Sequence, residues 1–325
     1  GIFDVVIVGP GENSLKQIVD DVRSGRVGKV YEQNYREVPF TDTPFPRREF
    51  LPDEAIVNES LFGQYGGVRG TSVYFSRGCV FHCAFCVYNV PTYLQVRSRE
   101  MMRAEVEYLK TRYGIGGLNL RDEVAIHPNE KISRTMFDVL GEADVIWRGQ
   151  TTTGASYEQL KMARESGCQE LSIGVETVDD QVMKIIDKAW QTEAQIRTFI
   201  EHAKKLGIKI KMCLIFGLPG EPKDIVERTI KFIDETSPEL ISLSGFCPVP
   251  GSPIFRNPDH YGIKHIDRDW SKHAHLLYRF SDEEEVGLPF EYERETQWGK
   301  PFTREQIKDN IRQTQRWLEK RGMVY

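Results

Sequence analysis

Several things are scarce in this sequence, and each scarcity excludes something. No apolar run approaches the roughly 18 residues that cross a bilayer, and no secretory-signal pattern opens the chain. Positive charge is not in excess: 43 Lys and Arg face 48 Asp and Glu, for a net charge of −5. Such a chain has no general attraction for nucleic acid or anionic lipid. Cysteine is sparse, six in 325 residues, and is not distributed as a disulfide framework. Cys79, Cys83 and Cys86 crowd together, whereas Cys168, Cys213 and Cys247 stand singly in apolar or turn contexts. In a large acidic chain this usage points to a reducing, cytoplasmic setting, where clustered thiols bind metal more readily than they pair. Low-complexity tracts are absent, and 40% hydrophobic with 28% charged residues excludes a disordered chain. The sequence begins at Gly1 with Phe3–Val8 already reading as a core strand, so the expectation is a trimmed part of something longer.

What is present is alternation. From about Thr71, short apolar runs (72–75, 117–120, 145–151, 170–175, 209–216 and 240–246) alternate with helical patterns. Near-uniformly apolar strands separated by amphipathic helices imply parallel pairing through right-handed crossovers. Six such units give an α/β fold, a partial (β/α)6 TIM-like barrel, over residues 67–256. A short N-terminal α/β flank (1–66) precedes it, with a helix from Ser14 to about Ser24 and a Pro-rich connector. A C-terminal helical extension (257–325) follows, expected to cover the active site. Its last helix opens with Thr303 and Gln306 in capping-box spacing, with Ile307, Ile311, Thr314 and Leu318 as a docking stripe.

The densest chemical signal is Ser76-Arg-Gly-Cys79-Val-Phe-His-Cys83-Ala-Phe-Cys86. It follows the first barrel strand, at the end where barrel active sites assemble. Three close thiolates can wrap one soft metal centre. A structural zinc wants four protein ligands, and His82 is poorly placed between two of the cysteines. A [4Fe–4S] cube with three thiolates keeps one iron open for a ligand. A zinc site completed by a distant Cys or His, and three merely buried cysteines, remain the alternatives.

At these residues the chain resembles the radical S-adenosylmethionine (radical SAM) superfamily, whose signature is Cys-x3-Cys-x-aromatic-Cys. Cys79, Cys83, Phe85 and Cys86 fit it. Ser76-Arg-Gly, Gly174-Val-Glu176-Thr, Gly217-Leu-Pro-Gly220-Glu and Pro250-Gly-Ser-Pro253 resemble the subfamily carrying a cobalamin-binding domain ahead of the barrel. So does Val8-Gly-Pro-Gly-Glu12, as the last turn of such a domain. The resemblance implies a [4Fe–4S] cluster on Cys79, Cys83 and Cys86, with S-adenosylmethionine chelated to its open iron. It further implies reductive cleavage to methionine and a 5′-deoxyadenosyl radical, with a reducing partner such as flavodoxin or ferredoxin.

The site residues follow from the same resemblance. Asp122 or Glu123, with Asp122 preferred, would receive the cofactor's ammonium, against a solvated charge cluster with Arg121. Glu176 would meet the ribose or salt-bridge a barrel cation. Gly217 and Gly220 would floor the adenine slot or simply form a strand-to-helix turn capped by Glu221. Phe85 would pack on adenine or shield the cluster, with Tyr88 a weaker candidate. Arg77 would hold the loop or a substrate carboxylate. Thr151-Thr-Thr153 stands where relatives carry Arg-x-Asp, and signals a different substrate or ribose contact. Cys168 and Cys213 read as small core residues, and Cys168 as part of a helix-end turn. Cys247 ends the sixth strand and is the candidate hydrogen donor to a substrate radical. Trp270, His273, His275 and Tyr278 would line a pocket or pack the last helix.

The function expected is hydrogen abstraction from a small molecule, leading to dehydration, rearrangement, cyclisation or oxidation. A cobalamin-dependent C-methyltransferase is the alternative. Residues 1–66 are short for a corrin-binding layer and no Asp-x-His-x-x-Gly motif appears, so cobalamin is expected only if the chain is trimmed. A non-enzymatic zinc or iron–sulfur protein is the rival from another class. Methylthio transfer to RNA lacks the cysteines for a second cluster.

Overall fold

A computed structural model describes residues 3–87, 91–273 and 288–323. In chain order the elements are β1 (Val6–Val8), α1 (Glu12–Arg23), β2 (Val30–Glu32), α2 (Asp53–Ile56), β3 (Gly70–Val73), β4 (Ser76–Arg77), β5 (Gln95–Val96), α3 (Arg99–Tyr113) and β6 (Gly117–Leu120). They continue as α4 (Glu130–Glu142), β7 (Ile146–Thr151), α5 (Tyr157–Glu165), β8 (Cys168–Glu176), α6 (Asp180–Ile185), α7 (Glu193–Lys205), β9 (Lys209–Phe216), α8 (Ile225–Thr236) and β10 (Leu240–Gly245). The chain closes with α9 (Pro253–Arg256), β11 (Ile263–Ile266), β12 (Phe290–Tyr292) and α10 (Arg304–Glu319).

Six parallel strands in the order β10-β9-β8-β7-β6-β3 form the barrel wall. Sequential strands are neighbours throughout, so every crossover helix lies on the same, outer side. Local signals set the helix starts: Ser156 with Gln159, Thr192 with Gln195, and Thr303 with Gln306 each form a capping box. The helix-facing residues of the long strands are fully buried, among them Leu171, Ile173 and Val175 on β8 and Ile210 and Met212 on β9. They meet Ile196, Phe199, Ile200 and Ala203 of α7. Each such large side chain contributes about 1.5–3 kcal/mol on burial.

The expectation of near-uniformly apolar strands holds for that face alone. The sheet curls without closing, so its concave face stays wet and carries polar residues. β8 places Glu170, Ser172 and Gly174 across from Lys209, Lys211 and Cys213 of β9, and a register shift then sets Glu176 across from Leu214. A 3-10 turn over Glu59–Tyr65 stoppers the lower end, with the fully buried Phe62 against Gly70 and Gly117.

At the N-terminus, β1 pairs in parallel with β2 around α1, a single βαβ unit. Arg77 ties this unit to the barrel. Its guanidinium donates to Glu12 Oε1, Gln95 Oε1 and the Val38 carbonyl, each at 2.6 Å, and lies over the Tyr35 and Phe40 rings. Of the two roles open to Arg77, holding the loop is the one its contacts fill. At the C-terminus the stripe Ile307, Ile311, Thr314 and Leu318 is buried, and α10 packs along β10 and β9. Phe290 and Phe246 meet edge to face at 5.0 Å. Among the described residues, no helix is long and apolar enough to cross a membrane.

Candidate active site

The parallel strands all end at one mouth, and the cysteine loop rises from the first of them. β4 pairs antiparallel with β5, so the chain leaves and re-enters the cysteine lasso at one place. Gly78 turns it with φ +92°, and a Cβ there would sit 2.2 Å from the Tyr93 carbonyl oxygen. Only glycine fits such a place. The amide of Cys79 donates to Pro91 O at 3.2 Å and that of Cys86 to Cys83 O at 3.0 Å. Ala84 is pinned from both sides, donating to Ile186 O and accepting from Ile254 N–H. None of the three cysteines is in a disulfide, and all three are half-buried. Burial pushes Cys83 up to about 12 and Cys79 upward, while the nearby Lys188 ammonium opposes both shifts. Among the described residues, no three His, Cys, Asp or Glu side chains converge as a ready-made single-ion site. Phe85 is partly buried against the barrel core. Phe81 stacks on Trp190 with centroids 4.1 Å apart. Tyr88 lies outside the described residues.

The two carboxylates after β6 behave oppositely. Asp122 is fully buried; its Oδ1 accepts Phe75 N–H at 3.0 Å and its Oδ2 accepts the Ser76 hydroxyl at 2.5 Å. Desolvation raises it to about 7 despite those two donors. The side chain therefore brackets the first strand to the second with both of its oxygens, contacts that stand against the preference for Asp122 as ammonium acceptor. Glu123 keeps Oε2 buried and without a hydrogen-bond partner. Burial raises its pKa, partly opposed by the Gly78 amide, and its charge in turn raises Cys79. An unpaired carboxylate oxygen beside the first cysteine is costly unless something fills the place.

Glu176 ends β8 in the left-handed region at φ 64°. Its Oε1 meets Lys188 Nζ at 2.9 Å, and that ammonium also donates to Gly174 O at 2.6 Å. Of its two expected roles, the salt bridge is the one made. Lys188, which sequence reasoning missed, faces Cys79, Cys83 and Cys213 electrostatically. Its only sequence signal was a buried Lys between two elements. Gln191, also missed, donates to Gly174 O and Val175 O and accepts from Thr153 Oγ1 at 2.7 Å. Thr151 donates to Ile126 O. The threonine hydroxyls of 151 and 153 thus lock the strand ends together, which corrects their reading as substrate or ribose contacts.

Gly217 and Gly220 take positive φ, but the close neighbours are protein. A Cβ on Gly217 would lie 2.9 Å from Ile307, and one on Gly220 would lie 2.4 Å from Ile185. Tyr292 OH donates to Gly217 O at 2.8 Å. The buried Glu221 accepts from Gly217 N–H with both oxygens at 2.9 Å and from Leu218 N–H at 3.1 Å. The turn therefore seats the C-terminal extension, and of its two expected roles the strand-to-helix turn capped by Glu221 is the one these contacts make.

Cys247 is buried two residues beyond β10, its thiol pushed up to about 12 by desolvation. Its Sγ lies 3.8 Å from His273 Nδ1, and His273 Nε2 lies 2.7 Å from Asp267 O. A carbonyl only accepts, so Nε2 carries the proton and Nδ1 receives the thiol hydrogen. Trp270 is half-exposed, 4.9 Å from the His273 ring. His275 and Tyr278 lie outside the described residues. Cys168 opens β8 fully buried, not in a helix-end turn, and Cys213 lies half-buried on the concave face, not in the core.

The donor set fits an iron–sulfur cube. Three thiols share one loop with an unpaired carboxylate oxygen beside them, and the lasso is fixed by backbone hydrogen bonds independent of the sulfurs.

Comparison with known proteins points the same way. Residues 73–233 match the radical SAM superfamily. An uncharacterised methyltransferase of Pyrococcus horikoshii is 25% identical over 84% of this chain and 61% of its own length. An anaerobic magnesium-protoporphyrin IX monomethyl ester cyclase of Cereibacter sphaeroides is 26% identical over 78% of this chain and 44% of its own. The chain thus spans less than two thirds of the length of both relatives. Among solved structures, the radical SAM methyltransferase TsrM of Kitasatospora setae, with cobalamin and a [4Fe-4S] cluster bound, superposes with a TM-score of 0.62 at 17% identity. That likeness covers 79% of this chain and 56% of the other. The partial barrel, the cysteine lasso at its mouth and the matched profile place this chain in the radical SAM superfamily, whose cofactors are a [4Fe–4S] cluster and S-adenosylmethionine.

Proposed function

We propose that this chain is the catalytic part of an enzyme that removes a hydrogen atom from a small molecule and methylates the resulting carbon radical. The observation that carries the radical chemistry is the three-thiol lasso beside the unpaired Glu123 oxygen. Cys79, Cys83 and Cys86 hold the cluster, and Glu123 accepts the ammonium of S-adenosylmethionine. Phe85 and the Phe81–Trp190 stack shield the cluster from water. Lys188 fixes Glu176 at the rim and offsets the negative charge of the thiolates. When bound, the cluster and S-adenosylmethionine supply the 5′-deoxyadenosyl radical.

Methyl transfer is favoured by the Pyrococcus horikoshii relative and by TsrM, and the methyl donor would then be a cobalamin outside the stretch described here. Cyclisation without methyl transfer is the second reading, favoured by the Cereibacter sphaeroides cyclase. A low-potential flavodoxin or ferredoxin in the cytoplasm would reduce the cluster.

Anaerobic reconstitution should give brown protein with about four irons, and dithionite with S-adenosylmethionine should release 5′-deoxyadenosine. Cys83→Ala should lose both. Colourless wild-type protein holding stoichiometric zinc would overturn the reading. Methyl-labelled S-adenosylmethionine then separates the two reactions, since cyclisation leaves the product unlabelled.

A further inference from the structure

The concave face of the sheet is the largest feature that the cofactor residues leave unexplained. Register fixes which side chains share it. Ser72, Asn119, Arg148, Glu170 and Lys209 form one row across five strands. They are joined edge to edge: Asn119 donates to Ser72 Oγ and accepts from Arg148 Nε, both at 3.2 Å, and Arg148 reaches Glu170 at 3.8 Å. Lys209 donates to Gln64 at 2.8 Å over the Tyr65 ring, which closes the floor. The next row towards the mouth holds Gln150, Ser172, Lys211 and, at the β10 edge, Leu240, and the one above holds Gly174, Cys213 and Ser242. Gln150 is exposed, and Ser172, Lys211 and Cys213 are half-buried, so this middle level is open. Lys188 bonds Gly174 O and Glu176 Oε1, Gly174 is the register partner of Cys213, and Lys211 lies one row below; burial raises the Cys213 thiol to about 11, with Glu176 adding to the shift and Lys211 and Lys188 opposing it.

Charge on this face is not balanced. Counted with the groups at its mouth, among the described residues it carries Arg148, Lys188, Lys209 and Lys211 against Glu123, Glu170 and Glu176, in a chain whose overall charge is negative. A recess with low-dielectric walls focuses such a field. Hydroxyl and amide groups at the same level add hydrogen-bonding without adding charge.

We infer that this recess is the substrate pocket, and that it takes a small polar molecule bearing an oxyanion, a carboxylate or a phosphate, which lies at the level of Lys211, Gln150 and Ser172. The inference rests on the mouth being the active site, as proposed above. The anionic end enters first and sits towards the floor. The carbon that loses its hydrogen is thereby left at the mouth, under the cysteine lasso.

Cys213 reports on the recess without any substrate. The cluster-loaded protein is treated at pH 8.5 with an anionic sulfonatoethyl or a cationic trimethylammonioethyl methanethiosulfonate, and modification of the Cys213 peptide is followed by mass spectrometry. Corrected for their rates with a free thiol, the anionic reagent should be about tenfold faster, because each unit of nearby charge acts oppositely on the two. Lys211→Gln should reduce the preference several-fold and Lys211→Arg should keep it. The ratio cancels any change in the acidity of the thiol. A cationic preference, no preference, or a Cys213 that neither reagent reaches would each overturn the inference. The labelling needs no turnover, so its failure and a failure to release 5′-deoxyadenosine are read separately.

Discussion

Glu221 offers a test of how the barrel mouth is joined to the C-terminal extension. Its carboxylate is buried beneath the Gly217 turn, where desolvation pushes its pKa up to about 8 although three backbone N–H bonds favour the charged form. The ordinary value is 4.5. A carboxyl whose folded pKa is raised holds a proton that the unfolded chain has released. Its contribution is therefore complete below about pH 4.5 and is lost as the pH rises through about 8. Between pH 5.5 and 7.5 the loss is two pH units at 1.36 kcal/mol each, about 2.7 kcal/mol. Unfolding entropy near 2.1 cal/mol/K per residue gives about 0.7 kcal/mol/K for 325 residues. The midpoint of wild-type unfolding should thus fall about 4 °C further than that of Glu221→Gln over this interval. The variant keeps one acceptor oxygen for Gly217 and Leu218, and whatever that exchange costs is independent of pH. Thermal unfolding of both proteins at the two pH values measures the difference of differences. Parallel curves would refute the reasoning. Such parallel curves are what a Glu221 held charged by its two N–H donors would give, since its titration would then lie below this interval.

Three further outcomes follow from buried carboxylates. Glu123→Gln should raise the dissociation constant for S-adenosylmethionine about ten- to hundredfold by isothermal titration, because a charge-assisted hydrogen bond contributes about 1.5–3 kcal/mol. Asp122→Asn should instead lower the unfolding midpoint with little change in affinity, since both oxygens of Asp122 hold Phe75 and Ser76; the reverse pattern would return the ammonium to Asp122. Glu105 pairs with Arg48 at 2.8 Å where both side chains are nearly inaccessible. Glu105→Ala should therefore cost about 3–5 kcal/mol in urea unfolding, as it strands a buried guanidinium.

The sequence alone was enough for the order of strands and helices, the cysteine lasso and the docking stripe of the last helix. These are local or periodic features: the cap at Thr303, apolar runs spaced by helical patterns, and three cysteines within eight residues. Folding assigned the remaining roles, because each depends on what lies across the sheet rather than along the chain. Asp122 and Glu123 are adjacent in sequence and chemically alike, yet one meets Phe75 and Ser76 forty-six or more residues away while the other keeps an oxygen unpaired. Gly217 invited a ligand on its conformational freedom, but Ile307 from the last helix occupies the space. Lys188 had no motif at all and acquired its place only when α6 brought it over the end of β8. A sheet that curls without closing leaves one face in water, and that curvature decided that Lys211 and Cys213 line a recess instead of a core.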